Sequence, residues 1–158
     1  MTRFGGILSP SSLSGGIIAA VQASDQSSSS ASLVNVTDLV WPVAANTDYL
    51  LMLQLFYETA LVTTGLGLSI NAPASPTLLR FGFDFATSAA VRFAAVASAA
   101  DAILGTGAGP AAVTSTVGGH CILRNGANAG SLAVRFATLL ALSSVTIKAG
   151  SYGLLVQI

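Results

Sequence analysis

Residues 49–58 constrain the fold of this chain more than any other stretch. Read with the two-residue period of a β-strand, they put Tyr49, Leu51, Leu53, Leu55 and Tyr57 on one side. Leu50, Met52, Gln54, Phe56 and Glu58 fall on the other. Both sides are largely apolar, so this strand has to be covered twice. A lone two-sheet sandwich covers only the inner face of each sheet. The second cover therefore requires another subunit or another layer, and Leu51, Leu53, Leu55, Phe56 and Tyr57 are the candidates for an interface between copies. A membrane-spanning helix is not expected. It needs about 20 consecutive apolar residues, and this run is about half as long and contains Gln54. Residues 102–123 are uncharged but broken by Gly105, Gly107, Gly109, Pro110, Gly118 and Gly119. Arg3 followed by Phe4-Gly5-Gly6-Ile7-Leu8-Ser9-Pro10 does not make a continuous apolar signal core, so synthesis in the cytosol is the expectation.

The same period continues along the chain. Residues 33–40 form an apolar, β-branched run that ends at Trp41-Pro42, where the proline favours a strand exit. Asn46-Thr47-Asp48 turns the chain into residues 49–58. Further strands are expected at 66–71, 78–85, 89–102, 113–123, 132–136, 145–148 and 152–158. In 78–85, Leu79, Phe81, Phe83 and Phe85 share one side, while Arg80, Gly82 and Asp84 share the other. Asn125-Gly126 is a hairpin signal, lengthened by Asn128 and Gly130. Eight or so short strands with turns between them predict an all-β jelly-roll sandwich over residues 33–158.

Residues 1–32 differ from the rest. Ser11, Ser12, Ser14, Gly15 and Gly16 form one polar stretch, and residues 24–30 form another. Such runs favour extended, mobile chain. Between them lies the apolar patch Ile17-Ile18-Ala19-Ala20-Val21. The expectation is an extended arm that docks on a partner through Ile17, Ile18 and Val21.

Charge narrows the function classes. Ordinary globular chains carry about 25% charged residues. This one carries 8%, six basic and six acidic, with net charge zero and 53% hydrophobic residues. Little repulsion keeps copies apart. The basic residues Arg3, Arg80, Arg92, Arg124, Arg135 and Lys148 are scattered, so no nucleic-acid partner is expected. Cys121 is the one cysteine, which rules out an intrachain disulfide and suits a buried apolar role. His120 is the one histidine, and neighbours on a strand point to opposite faces, so His120 and Cys121 do not make a metal site together. Asp38, Asp48, Glu58, Asp84 and Asp101 are each isolated, which leaves no paired carboxylates in sequence. Gly65-Leu66-Gly67 and Gly105-Thr106-Gly107 lack the lysine of a phosphate loop. No cofactor and no catalysis are expected.

Two stretches carry a resemblance. One is Tyr49-Leu50-Leu51-Met52-Leu53-Gln54-Leu55-Phe56-Tyr57-Glu58-Thr59-Ala60, running on to Asn71-Ala72-Pro73-Ala74-Ser75-Pro76. The other runs from Arg124-Asn125-Gly126 through Val134-Arg135-Phe136-Ala137 to Ser143-Ser144-Val145-Thr146-Ile147-Lys148-Ala149-Gly150-Ser151-Tyr152. Together they resemble a recurrent module of tailed-bacteriophage virion proteins, similar to the trimeric jelly rolls of the C1q and tumour-necrosis-factor type. The resemblance implies a homotrimer on a virion, without membrane or nucleic acid as partner. It implies a capsid decoration protein whose arm lies on the major capsid protein or on a neighbouring trimer. The alternative it leaves open is a tail-fibre or receptor-binding tip, for which Trp41, Tyr57 and Tyr152 are the candidate aromatics. No fibre shaft or coiled coil precedes the sandwich in this chain, which favours decoration.

Overall fold

The structure is a computed structural model that describes residues 16–86, 92–97, 99–105 and 111–158. The described residues form twelve strands and no helix. They are β1 (Ile17–Val21), β2 (Gln26–Ser28), β3 (Val34–Val43), β4 (Asp48–Thr59), β5 (Leu66–Asn71) and β6 (Leu78–Ala86). The second half comprises β7 (Arg92–Ala97), β8 (Leu104–Gly105), β9 (Ser115–Arg124), β10 (Gly130–Thr138), β11 (Val145–Ile147) and β12 (Tyr152–Gln157).

The pairing follows one rule. Each strand lies antiparallel to the strand equally far from the other end of the series: β1 with β12, β2 with β11, β3 with β10, β4 with β9, β5 with β8 and β6 with β7. The chain is thus a single long antiparallel ribbon; its two outermost pairs lie in the same sheet, and from β3–β10 inward successive pairs alternate between two sheets. The larger sheet runs β1-β12-β4-β9-β6-β7, with β11 on β4 and β2 on β11. The smaller runs β3-β10-β5-β8. This winding is a jelly-roll sandwich, as the strand spacing predicts.

The core lies between the sheets. Trp41, Tyr49, Tyr57, Phe81, Phe83, Phe85 and Phe136 are its largest fully buried side chains. Phe81 and Phe83 meet edge to face with centroids 5.9 Å apart. Two glycines make room for this core. A Cβ on Gly119 would stand 2.8 Å from the Phe83 ring, and one on Gly153 would stand 2.6 Å from the Trp41 ring. β3 runs through Pro42 rather than ending there. It is the edge strand of its sheet, where a residue without an N–H is tolerated.

The boundary at Leu33 does not hold. From Ile17 onward the expected arm is part of the sandwich, supplying β1 and β2 to the larger sheet. Residues 1–15 lie outside the described residues. Gln26, in a stretch whose composition suggests mobility, anchors the segment together with Gln22 and Asp38. The Gln22 amide oxygen accepts from the Asp38 N–H at 3.1 Å. The Gln26 side chain accepts from the Thr37 N–H at 2.8 Å and donates to the Asn35 carbonyl at 2.9 Å. The Asp38 carboxylate accepts from the Ala23 N–H at 2.9 Å. These bonds stand in for a strand ladder along the edge of β3, and each satisfies a backbone group that a mobile arm would leave to water.

Asp25 fixes the next turn by accepting from the Ala149 N–H at 2.8 Å and pairing with Lys148, which also reaches Glu58 at 3.5 Å. The hydrogen bond from Lys148, and then that from Ala149, hold the Asp25 carboxyl below its ordinary value. The same bond raises Lys148. A lowered carboxyl stabilises the fold above its unfolded value and loses that contribution as pH falls through the folded value. A raised ammonium contributes below its unfolded value and loses it as pH rises through the folded one. Asp25→Asn is therefore expected to lower the melting temperature modestly between about pH 5 and 9, with the deficit closing below about pH 3. Thermal melts of both proteins across that range check it; a deficit independent of pH would contradict it.

Candidate assembly surface

The strand register sets out the outer face of the larger sheet row by row. Ile17, Val156, Leu50, Ile122 and Arg80 lie side by side across β1, β12, β4, β9 and β6. The next row is Ala19, Leu154, Met52, His120 and Gly82. The next is Val21, Tyr152, Gln54, Gly118 and Asp84. Ile17, Val21, Met52, Ile122 and Tyr152 are exposed, and Leu50, Leu154, Val156 and Phe56 are half-buried. Aliphatic side chains thus run unbroken from β1 to β9, with Met52 near the middle and still 44% exposed. Charges stand at the borders. Arg80 and Asp84 line the β6 side. The Asp48–Arg124 pair, at 3.0 Å, closes one end, and the Asp25–Lys148–Glu58 group closes the other. An apolar patch with a charged rim is the make-up of a surface that associates.

The interface candidates divide by strand parity. Leu51, Leu55 and Tyr57 are fully buried, and Leu53 is nearly so. They form the core of one subunit, and no other copy can reach them, so their expected interface role is overturned. Phe56 alone of that set lies on the outer face. The opposite side of β4, with Leu50 and Met52, is the accessible one, and it is continuous with Leu154, Val156 and Ile122. Both sides of this strand are apolar in sequence. Gln54 and Glu58 on the Leu50 side are the signal that marks it as the outer one. Of the docking candidates, Ile17 and Val21 are exposed on this same face. Ile18 points the other way and packs against the core.

The groups weighed for chemistry stay apart. His120 is on the outer face, while its neighbour Cys121 is buried in the core. Burial pushes the Cys121 thiol up to about 12, so it is a neutral apolar filler. Asp101 pairs with Arg135 at 2.9 Å and accepts from the Asn71 amide at 3.1 Å. Asp84 is on the outer face. Among the described residues no three His, Cys, Asp or Glu side chains gather to hold a metal ion, and no helix is long and apolar enough to cross a membrane. Of the aromatics considered for receptor contact, Trp41 and Tyr57 are core residues and Tyr152 is exposed.

A second exposed cluster sits in the loops at one end of the sandwich: Leu61, Val62, Leu139, Leu140 and Leu142. Hydroxyls lie inside these loops and aliphatic groups outside. Thr64 and Ser143 share a buried hydroxyl bond, and the Thr138 and Thr59 hydroxyls donate to the Leu140 and Leu61 carbonyls. Leu142 is 95% exposed with φ 68°, a left-handed conformation that costs a leucine about 1 kcal/mol or more. Leu142→Gly should stabilise the protein by about 0.5–1 kcal/mol, read as a higher urea midpoint at unchanged slope.

No family model and no curated protein matches the chain. Solved structures overlap it at low identity. The Eiger TNF structure from S. frugiperda is 14% identical over 90% of this chain and 92% of that one, with a TM-score of 0.44. A VP2 subviral particle of infectious bursal disease virus is 10% identical, covering 99% of this chain but 41% of that one, with a TM-score of 0.25. The Gt strain of the same virus gives 10%, 99%, 42% and 0.26. This chain spans about two fifths of those viral chains. The jelly-roll assignment rests on the strand pairing itself.

Proposed function

We propose that this chain is a non-enzymatic structural protein of a virion, a homotrimer that decorates a capsid and ties neighbouring capsomers together through contacts with the major capsid protein. The observation that carries the self-assembly is the uninterrupted aliphatic outer face of β12, β4 and β9. Such a face is a poor surface for a free monomer. A chain of zero net charge meets no long-range repulsion when its copies approach. The three-fold count and the place on a phage head come from the resemblance of residues 49–76 and 124–152. The work done is mechanical: each copy adds weak contacts, and a trimer held at three points gains from their effective concentration.

Two measurements test this. Light scattering of the purified protein should give three times the 15.8 kDa protomer mass. Cross-linking of intact particles should join it to the shell protein. A monomer in solution, or cross-links confined to tail proteins, would remove the reading.

A further inference from the structure

The two sides of the N-terminal segment are finished differently. Along β3, the edge is closed by the side chains of Gln22, Gln26 and Asp38. Proteins blunt sheet edges in this way, or with charges, prolines and bulges, because an open edge pairs with other chains. β1 is the edge of the larger sheet and has none of these devices. Its sequence, Ile17-Ile18-Ala19-Ala20-Val21, carries no charge and no proline. Its register with β12 is unbroken from Ile17↔Val156 to Val21↔Tyr152.

The ladder shows which peptide groups are free. The Gln22 N–H donates to the Ser151 carbonyl at 2.8 Å, toward β12. Alternation along an antiparallel strand then turns Ile18 and Ala20 toward β12, and Ile17, Ala19 and Val21 away from it. Among the described residues nothing pairs with those three outward groups.

We propose that the free edge of β1 pairs with β1 of a second copy, antiparallel and centred on Ala19. Sequence self-complementarity selects this occupant. With Ala19 opposite Ala19 of the second copy, Ile17 falls opposite Val21 on the outer face, and Ile18 falls opposite Ala20 on the inner. Large meets small where the half-buried Ile18 already leans on the core, so both strands pair without overpacking. Ile17, Ala19 and Val21 would exchange about six hydrogen bonds with their counterparts. This contact is two-fold and distinct from the three-fold face. It links trimer to trimer and turns an isolated knob into a node of a net.

The test is sedimentation of the full chain over a concentration series. Wild type should pass reversibly from trimers to larger species. Ala19→Pro removes an outward N–H on an edge strand, where proline is tolerated. It should keep the trimer and the melting temperature while raising the trimer–trimer dissociation constant more than about tenfold. Amide exchange of the wild type gives a reading that needs no variant: the Ile17, Ala19 and Val21 amides should slow as concentration rises, while those of Ile18 and Ala20 are slow throughout. A trimer that never associates further, or an Ala19 amide whose exchange ignores concentration, overturns the pairing. A dimer that Ala19→Pro abolishes and Met52→Lys leaves intact would sustain the pairing while removing the trimer reading.

Discussion

Met52→Lys is expected to convert the proposed trimer into folded monomers. Met52 lies near the middle of the outer face, with Leu154 beside it on β12 and His120 on β9. At 44% exposure in the single subunit, its side chain has room for a lysine whose ammonium reaches water. In the assembled protein that water is gone. Each copy then buries an ammonium with no acid facing it, since Asp84 and Glu58 stand at the borders. An uncompensated buried charge costs about 3–5 kcal/mol, so the dissociation constant should rise more than about a hundredfold. Light scattering should show one protomer mass, and far-UV circular dichroism should be unchanged. Leu55→Lys is the contrast. Leu55 is fully buried in the subunit, so lysine there should unfold the chain rather than release it. If Met52→Lys remains trimeric, the outer face is not the contact.

Trp41→Ala should be the most destabilising truncation in the core, by about 3–5 kcal/mol. Trp41 is 1% exposed, and its six-membered ring lies over the bare backbone of Gly153 on the facing sheet. Neither strand can close on the gap that alanine would leave, because β3 is held by β10 and β12 by β4. A domain of this size has about 5–15 kcal/mol in all. Trp41→Phe should cost much less. It keeps an aromatic ring and deletes the indole N–H, which is buried without a hydrogen-bond partner. Because Trp41 is the only tryptophan, urea unfolding has to be followed by circular dichroism rather than by fluorescence. Equal losses for the two variants would mean that the ring does not fill the space described. Gly153→Ala should fail from the other side, since its methyl group would meet Trp41 and Leu53.

Much of the fold was legible in the residues. Period-two patterns marked β4, β6 and β12. Which face was which was harder to read. Leu51, Leu53 and Leu55 are as apolar as any interface, and only Gln54 and Glu58 tilt the choice. The N-terminal segment misled for a related reason. Serine and glutamine look solvent-bound when read locally, but Gln22 and Gln26 bond to residues of β3 that lie 9 to 16 positions away. The nested pairing was not legible at all, because the register between β1 and β12 is set by the whole winding and not by either strand.

That winding also governs when the protein can form. β4, at the heart of the larger sheet, lies between β9 and β12, and β1 has no ladder partner but β12 among the described residues. Without β12 in place, β1 is unpaired and the aliphatic side of β4 is open along one edge. Topologies with such distant pairings fold slowly and expose sticky surface while they wait. β12, which joins β1 to β4, is therefore the latch. Until β12 docks, both surfaces stay open to other chains, and ordered association competes with aggregation.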